Sequence, residues 1–337
     1  MRVLVVGGAG YIGSITAQHL LEAGHDVIVF DNLSRGHVQA VPAGATFVKG
    51  DMGSTSDVEE VLTRGKINAV MHFAAHSLVG ESVENPVLYF SNNIANGLTL
   101  LNVMLRHNIK TFVFSSTAAV YGEPAESPIL ESFPLNPTNP YGDTKLAYEK
   151  ALKWYSQAYN MRYVALRYFN AAGASGPLGE DHQPETHLLP LVLQVARGKR
   201  PSVTIHGDEY PTPDGTCIRD YIHVKDLATA HISALEYLAA RGESDVFNLG
   251  NGTGSSVKQV IETARTVTGH LIPTQVGPRR AGDPSILVAS NEKIQRVLGW
   301  KPNHASLSTI IGDAWKWHQQ FPAGYKVPED KVETCQK

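Results

Sequence analysis

The chain has 337 residues, of which 42% are hydrophobic, and its 29 basic and 32 acidic residues give a formal net charge of −3. This length supports a sizeable core and more than one modest domain. The near-neutral charge gives no sign of a nucleic-acid or membrane-surface partner. Two cysteines, Cys217 and Cys335, are too few for a disulfide framework or a cysteine metal site. Two reduced thiols are the simpler interpretation, although the residues leave open one disulfide between them.

Hydrophobic residues begin at Val3, and no basic segment, long apolar stretch or small-residue cleavage site precedes them. No apolar run approaches the ~18 residues that a membrane span needs. We therefore expect a cytoplasmic protein with no membrane partner.

Short runs of β-branched and aromatic residues alternate with helical patterns through the first half of the chain. These runs are nearly continuous, which is typical of parallel strands buried on both faces. The repetition predicts an α/β fold with a doubly wound parallel sheet of Rossmann type. The predicted strands are Arg2–Val6, Asp26–Phe30, Thr46–Val48, Ala69–Phe73, Thr111–Ser115 and Tyr163–Arg167. The predicted helices are Ile12–Ala23, Asp57–Thr63, Pro86–His107 and Tyr141–Tyr159.

The alternation weakens in the second half, where Gly, Pro and acidic residues predict loops at Ala171–Glu185 and Asp208–Gly215. A later apolar run, Asp245–Leu249, is expected to rejoin the main sheet, and Leu307–His318 is predicted as a helix. We expect a dinucleotide-binding Rossmann domain and a smaller C-terminal lobe that binds the substrate. The predicted boundaries are 1–170 with 220–250 returning for the first, and 171–219 with 251–337 for the second.

A glycine-rich segment separates the first predicted strand from the first predicted helix. It satisfies both G-x-G-x-x-G and G-x-x-G-x-x-G. Such glycines permit a tight turn and close approach of backbone to a pyrophosphate, which the helix N-terminus stabilises with unpaired N–H groups. Asp31 lies 18 residues after Gly13, at a strand end where a carboxylate accepts hydrogen bonds from ribose hydroxyls. The combination predicts a dinucleotide site rather than a structural turn without a ligand.

Asp31 also favours NAD over NADP, since its carboxylate repels the 2′-phosphate of NADP. Arg35 argues for NADP, because a nearby arginine can bind the 2′-phosphate. We give more weight to Asp31, because its position is fixed by the end of the strand. Asp51 and Met52 end the third strand and are predicted to border the adenine. For Met52 a place in the core fits equally well.

Tyr141 and Lys145 are four residues apart in a predicted helix that Asn139 can cap and Pro140 can start. Residues with this spacing share a helix face, so both can point into one pocket. A free tyrosine has a pKa of ~10, and a nearby ammonium and an oxidised nicotinamide both favour the phenolate. The pair is therefore predicted to move a proton, assisted by a hydroxyl from the strand end Ser115-Ser116-Thr117.

Together these motifs resemble the extended short-chain dehydrogenase/reductase family, and most closely its members that epimerise UDP-sugars. The similarity runs from Val3 to about His318. Its segments are Gly7–Ser14, Asp31–Leu33, His72–Ala75, Val79–Ser82, Phe114–Gly122, Asn139–Lys145, Tyr168–Asn170, Arg219–Val224 and Arg280–Asp283.

The resemblance implies a reversible, NAD-dependent 4-epimerisation of UDP-glucose and UDP-galactose through a 4-keto sugar. Tyr141 would exchange the proton of the sugar 4-hydroxyl, Thr117 would donate a hydrogen bond beside it, and Lys145 would bind the nicotinamide ribose. Because the net reaction is redox-neutral, NAD is expected to stay bound. The resemblance also implies a homodimer through helices, with Pro86–His107 and Tyr141–Tyr159 as candidates.

Residue by residue, the resemblance assigns two sets of contacts. The cofactor set, with the glycine loop included, is Gly7, Gly10, Tyr11, Ile12, Gly13, Asp31, Asn32, Asp51, Met52, Phe73, Ala74, Ala75, Asn93, Ser115, Lys145 and Tyr168. The UDP-sugar set is Thr117, Tyr141, Asn170, His187, Leu188, Thr204, His206, Arg219, Arg280 and Asp283. Arginine suits a diphosphate, although for Arg219 an ion pair with Asp220 is the alternative.

Four positions depart from the family pattern. Ser77 replaces a lysine near the cofactor, and His187 replaces an asparagine, although either can donate a hydrogen bond. His206 stands where an aromatic ring stacks on uracil. Leu287 stands where a tyrosine excludes N-acetyl sugars and a small residue admits them, so the sequence leaves open activity on UDP-GlcNAc and UDP-GalNAc.

Three alternatives compete with the epimerase hypothesis. A dehydratase or decarboxylase of the same fold usually has acidic residues after the hydroxyl residue, whereas Ala118-Ala119 follow Thr117. A UDP-uronate 4-epimerase is harder to exclude, and a non-catalytic NAD-binding regulator would not need Tyr141 and Lys145. No metal site is expected, because the 14 histidines show no H-E-x-x-H pattern; His182 and His187, five apart in or near a loop, are not predicted as ligands.

Overall fold

The computed structural model describes residues 1–280 and 283–325; Ala281, Gly282 and 326–337, the last including Cys335, lie outside the described residues. The strands are β1 (Arg2–Val6), β2 (Asp26–Asp31), β3 (Thr46–Lys49), β4 (Ala69–His72), β5 (Thr111–Thr117), β6 (Arg162–Tyr168), β7 (Asn170–Ala172), β8 (Val203–His206), β9 (Ile218–His223), β10 (Asp245–Leu249), β11 (Gly254–Ser256), β12 (Thr274–Gly277) and β13 (Ile286–Leu287). The helices are α1 (Tyr11–Glu22), α2 (Thr55–Gly65), α3 (Val79–Glu84), α4 (Pro86–Tyr89), α5 (Gly97–Arg106), α6 (Pro140–Tyr159), α7 (Leu188–Ala196), α8 (Val224–Ala239), α9 (Val257–Thr268), α10 (Glu292–Leu298) and α11 (Leu307–Gln320). No helix among these combines the length and apolar character of a membrane span.

Seven strands form one parallel sheet in the order β10-β6-β5-β4-β1-β2-β3. The chain starts in the middle at β1, moves outward to β3, and then crosses back to β4 on the other side of β1. This reversal creates a crevice at the carboxyl ends of β1 and β4, where doubly wound folds bind their ligands. The predicted doubly wound α/β fold is confirmed.

Helices pack on both faces of the sheet, and in its central strands β1 and β4 successive residues are buried. Val3 and Val5 of β1 belong to one core cluster together with Ile15 of α1. Leu4 and Val6 belong to a second cluster that includes residues of α2, α5 and α6. A strand buried on both faces has no polar side to show, which explains the continuous hydrophobic runs of the sequence.

The segment predicted as one helix, Pro86–His107, is divided in the structure. α4 ends at Tyr89, a π-helical turn covers Phe90–Asn96, and α5 continues from Gly97. The wider turn brings Asn93 inward, where its side chain bonds the backbone of His76 and the hydroxyl of Thr144. Turns of this kind occur frequently at functional sites.

The remaining strands form a separate layer near the C-terminal half of the chain. β9 lies between β11 and β13 and also pairs with β7, while β8 and β12 pair with each other. Helices α7, α9 and α11 contribute to a third core cluster with residues of these strands. Between β9 and β10, α8 returns the chain to the main layer and packs against α1. The carboxyl edge of the main sheet therefore faces residues of this second layer.

Candidate active site

The glycine loop is a closely packed cradle between β1 and α1. Gly7 has φ of +79°, and a Cβ there would lie 2.4 Å from the backbone nitrogen of Ala74. A Cβ on Gly13 would lie 2.2 Å from the carbonyl oxygen of Gly7. Gly10 precedes α1 as its N-cap without a side-chain cap. The first backbone amides of α1, those of buried Tyr11 and half-buried Ile12, have no partner within the helix and are of the kind that binds a diphosphate.

Asp31 braces this cradle at the end of β2. Its carboxylate accepts hydrogen bonds from the backbone N–H groups of Ala9 at 3.0 Å and Leu33 at 2.8 Å. Burial raises its pKa, and the two amide hydrogen bonds oppose that rise. Arg35 does not face this carboxylate, because its guanidinium binds Glu81 at 2.7 Å and the carbonyl oxygen of Gln183. Arg35 is thus already neutralised, which weakens the case for a 2′-phosphate site.

The next predicted cofactor residues follow β2 and β3. The side-chain amide of Asn32 donates to the carboxylate of Asp51 at 2.9 Å, and Asp51 also accepts from the backbone of Gly53. Met52 is 5% exposed and packs in the core cluster beneath. Asn32 and Asp51 are therefore polar neighbours at the ends of β2 and β3, and Met52 packs in the core next to Asp51.

The predicted catalytic group is assembled from β5 and α6. Thr117 lies close enough to Tyr141 for its hydroxyl to lower the pKa of the tyrosine. The Nζ atom of Lys145 donates to the carbonyl oxygen of Ser115 at 2.7 Å and lies 6.0 Å from the centre of the Tyr141 ring. Asn139 caps α6 by accepting from Gly142, so the helix starts directly before the tyrosine.

Burial perturbs both members of the pair. It raises the pKa of Tyr141, which the Thr117 hydroxyl partly offsets. It lowers the pKa of Lys145 to about 7, against the opposing charge of the Glu149 carboxylate. Lys145 is only 3% exposed. The Glu149 carboxylate offsets this shift only in part, so burial is the larger effect on Lys145.

Glu149 belongs to a buried polar network that the motifs did not reveal. Its carboxylate accepts from the hydroxyl of Ser116 at 2.5 Å and from Arg167 at 2.6 Å and 3.0 Å. Arg167 also donates to the hydroxyl of Tyr121 at 2.8 Å, and that hydroxyl donates to Asn248. The network ties α6 to the ends of β5, β6 and β10. The position of Glu149, four residues after Lys145 on one helix face, was the signal available in the sequence.

Tyr168 and Phe73 both contact the buried ring of His231. The Tyr168 hydroxyl is hydrogen-bonded to Nε2 of His231 at 2.5 Å. The Phe73 ring packs on His231 with centroids 4.8 Å apart. Burial lowers the pKa of His231 to about 4, so its ring is neutral at neutral pH. These side chains form a rigid apolar wall at the crevice.

The loop after β4 completes the cofactor side. The Ala74 N–H donates to the carbonyl oxygen of Val6, and Ala75 is half-buried beside it. Asn93 clamps the following residue, His76, through both its backbone groups. Ser77 is exposed. The structure therefore gives Ala74, Ala75 and Asn93 a common role in shaping this loop.

Two predicted substrate residues meet in the second layer. The guanidinium of Arg219 on β9 is paired with the carboxylate of Asp283. The ion pair with Asp220 does not form; Asp220 is fully buried and accepts N–H groups from Asn251, Gly252 and Ala289. Arg219 is also the register partner of half-buried Leu287.

The other substrate candidates are distributed along the same layer. Thr204 and His206 lie on β8, where His206 is the register partner of Gly277. Arg280 is exposed, and its carbonyl oxygen accepts from the Asp283 N–H at 3.3 Å. Asn170 is an exposed residue at the start of β7. No contact described here joins them to Tyr141.

His187 and Leu188 lie where α7 begins. Nδ1 of His187 is 2.8 Å from Glu185 and 3.0 Å from Glu180, while Leu188 packs on the third core cluster. Burial lowers the pKa of His187, but the two carboxylates outweigh it and raise the value to about 10. His187 is therefore engaged by neighbouring acids rather than presented alone to a ligand.

A glycine cradle and a group of buried Thr117, half-buried Tyr141 and buried Lys145, at the carboxyl edge of a parallel sheet, are the arrangement of a dinucleotide-dependent enzyme. The sequence model of the NAD dependent epimerase/dehydratase family matches residues 3–250, and the chain belongs to this family.

Individual relatives match over nearly the whole chain. The UDP-glucose 4-epimerase of Halalkalibacterium halodurans is 57% identical over 327 residues, or 96% of this chain and 98% of that protein. A crystal structure of a UDP-glucose 4-epimerase superposes with a TM-score of 0.95 at 53% identity, covering 97% of this chain and 100% of the other. The enzyme from Bifidobacterium longum, in complex with NAD+ and UDP, has a TM-score of 0.91 at 39% identity, covering 96% and 100%. The predicted family resemblance is confirmed.

Proposed function

We propose that the chain is a NAD-dependent epimerase that interconverts UDP-glucose and UDP-galactose at C4 of the sugar. The observation that carries this proposal is the grouping of Thr117, Tyr141 and Lys145: the Thr117 hydroxyl lowers the pKa of Tyr141, and Nζ of Lys145 lies 6.0 Å from the centre of the Tyr141 ring. Relatives with the same fold and up to 57% identity are UDP-glucose 4-epimerases.

The residues of the crevice fit NAD. A Cβ at Gly7 or Gly13 would clash with the backbone of Ala74 or of Gly7, so only glycine lets the loop pack this closely. A loop of this kind before a helix N-terminus suits a diphosphate held by backbone amides. The Asp31 carboxylate keeps free lone pairs for ribose hydroxyls, and Arg35 is occupied by Glu81. When bound, NAD supplies the hydride acceptor and donor for C4. Lys145 would hold the nicotinamide ribose, and Tyr168 and Phe73 would line the ring pocket.

The chain's own residues move the proton and hold the sugar. The Tyr141 oxygen accepts the proton of the sugar 4-hydroxyl as that carbon becomes a ketone, and returns the proton when the alcohol is formed again. Thr117 donates a hydrogen bond to the same sugar oxygen, which orients it toward Tyr141. In its protonated form Lys145 would favour the phenolate of Tyr141 and so oppose the effect of burial.

The residues after Thr117 favour epimerisation over dehydration. Ala118 and Ala119 form a short 3-10 turn whose first residue is 8% exposed, and neither carries an acid that could remove a hydroxyl from a neighbouring carbon. Without an acid at these two positions, reduction of the keto sugar at the same carbon is favoured over loss of water. The geometry thus supports a redox-neutral cycle.

The second layer supports a site for the UDP moiety. Arg219 and Arg280 offer cationic groups for the diphosphate, and Asp283 would be released from Arg219 or share it with the ligand. We propose that 1–170 with 220–250 serve the cofactor, and 171–219 with 251–337 serve the UDP-sugar. The Arg219–Leu287 register supports the view that Leu287 bounds the sugar pocket.

The test is product analysis by NMR after incubation with UDP-galactose, UDP-GlcNAc or UDP-glucuronate in separate samples. Formation of UDP-glucose from UDP-galactose without added NAD supports the proposal. A 4,6-dehydrated product, or turnover of the uronate alone, would contradict it. Turnover of UDP-GlcNAc would add N-acetyl sugars to the substrates, and Leu287→Tyr should then remove that activity selectively.

We also propose a homodimer through α3–α4 and α6. Apolar side chains here are solvent-exposed in the single chain: Val83 at 63%, Val87 at 73% and Trp154 at 68%. Clustered exposure of this kind marks an interface. Light scattering should give the mass of two chains for the native protein and of one chain for Val87→Glu combined with Trp154→Glu.

The cytoplasm is the compartment that we propose, in keeping with the free, buried thiol of Cys217.

A further inference from the structure

Four side chains of metal-ligating type converge in the segment between β7 and α7. They are Glu180, His182, Glu185 and His187, and one ligating atom from each lies within 4.8 Å of all the others. Nδ1 of His187 lies 2.8 Å and 3.0 Å from the two carboxylates, and Nδ1 of His182 lies 3.1 Å from Glu180. Glu180, His182 and Glu185 have no part in the proposed reaction or in the UDP-sugar set, whereas His187 belongs to both the cluster and that set.

We propose that these four side chains bind one first-row divalent cation of the zinc type, which fastens this segment to the start of α7. Two imidazole nitrogens and two carboxylate oxygens are ligands that Zn²⁺ accepts, and four is its usual coordination number in structural sites. Ligands at ~2.0–2.2 Å in a tetrahedron are separated by about 3.3–3.6 Å. The observed separations bracket that range, so shifts of well under 1 Å complete the geometry for most pairs.

Burial and charge favour a cation here. The side chains of Glu180 and Glu185 are only 7% and 8% exposed. Without a cation, the two carboxylates share the single Nδ1 hydrogen of His187, and Glu180 also faces Nδ1 of His182. Buried carboxylates are costly unless they are paired or coordinate a metal. A divalent cation would balance both of them while leaving both imidazoles neutral, as metal ligation requires.

The surroundings orient the ligands and leave a path for the ion. Backbone N–H groups of Thr186 and His187 donate to Oε1 of Glu185 at 2.8 Å and 2.7 Å, which fixes that carboxylate. Such second-sphere hydrogen bonds are typical of metal sites. A cleft of about 390 Å³ is lined by Glu180, His182 and Glu185 and opens to solvent.

The competing explanation is a closed network in which protonated histidines neutralise the two glutamates without a metal. The two explanations differ in zinc uptake. The experiment strips the purified full chain with a chelator, adds Zn²⁺, removes the excess and measures bound zinc by mass spectrometry. Affinity is measured by competition with a chromophoric chelator. The variants are His182→Gln and Glu180→Gln, and the control is His107→Gln, which alters a histidine at the end of α5 outside the cluster.

We expect one Zn²⁺ per chain in the native protein and in His107→Gln. Loss of one ligand should weaken binding by at least ~100-fold, beyond what loss of a second-sphere partner causes. Mg²⁺ and Ca²⁺, which prefer oxygen ligands, should not displace the zinc. Absence of stoichiometric uptake by the native protein, or equal uptake by all four proteins, would overturn the proposal.

Two further measurements keep the test independent of folding and of the epimerase reaction. Co²⁺ bound to the native chain should give the intense visible absorption of a four-coordinate site, and its absence would contradict the proposal even if His182→Gln does not fold. Zinc should also raise the melting temperature of the native protein but not that of Glu180→Gln. Neither readout depends on turnover of a UDP-sugar, so failure of the zinc site leaves the proposed epimerase untouched.

Discussion

The buried pair of Glu149 and Arg167 offers a prediction whose size follows from the structure. Glu149 accepts three hydrogen bonds, two of them from Arg167, and both side chains are 6% exposed or less. Replacing either partner with leucine leaves the other charge buried and unpaired, which costs about 3–5 kcal/mol. Replacing both removes the unpaired charge, so the double variant should lose much less than the sum of the single variants.

The assay is urea unfolding of the four proteins of this double-mutant cycle, followed by tryptophan fluorescence with saturating NAD. A matched surface pair provides the control: Glu59 and Arg106 form an ion pair with about half of each side chain exposed. Glu59→Leu should change the free energy of unfolding by no more than ~1 kcal/mol. Single losses below ~1 kcal/mol at Glu149 and Arg167, or strictly additive losses, would refute the reasoning.

Three more predictions concern the catalytic pair, the cradle and acid stability. Tyr141→Phe should lower kcat by ~10²–10⁴-fold while bound NAD, measured by absorbance after denaturation, is retained; normal turnover would disprove the assigned role. Gly13→Ala places a methyl group 2.2 Å from the carbonyl of Gly7, so the purified variant should carry no NAD, and full occupancy would count against the cradle. Burial lowers the pKa of His72 to about 3, against ~6.5 when unfolded, so the folded chain binds fewer protons and loses stability as pH falls from ~6.5 towards 3, by up to ~1.4 kcal/mol per pH unit. His72→Leu should therefore show a shallower loss of stability on acidification, and an unchanged slope would exclude His72 as the cause.

The parts of the site that could be predicted from the sequence are those whose residues are close together in the chain. The glycine loop, the strand before it and the helix after it are consecutive, so local chemistry determines their arrangement. Tyr141 and Lys145 share a helix face because of their spacing alone. In each case the backbone geometry of one element is enough to bring the groups together.

The parts that could not be predicted depend on contacts between distant segments. Arg167 meets Glu149 only because β6 lies beside the helix that carries the glutamate, and Tyr121 meets Asn248 across 127 positions. The π-helical turn at Phe90–Asn96 contains Asn93, whose side chain accepts a hydrogen bond from the backbone of His76 in the loop after β4. No periodicity in the sequence encodes such pairings.

The grouping of the histidine–glutamate cluster could not be predicted from the sequence for a different reason. His182 and His187 are close in sequence, but they lie in a segment that is neither helix nor strand. Without a helix or strand, spacing does not tell which side chains face one another. Only the folded loop shows that the imidazoles turn toward Glu180 and Glu185.

The two amide hydrogen bonds of Asp31 constrain any attempt to redesign the coenzyme preference of this chain. Exchanging that carboxylate for a neutral or basic group, the obvious route to accepting a 2′-phosphate, would also leave the N–H groups of Ala9 and Leu33 without their acceptor. Each such loss costs about 1–3 kcal/mol when the group is buried. Selectivity and loop integrity are thus encoded by one side chain, so a change of coenzyme requires at least one compensating substitution in the loop itself.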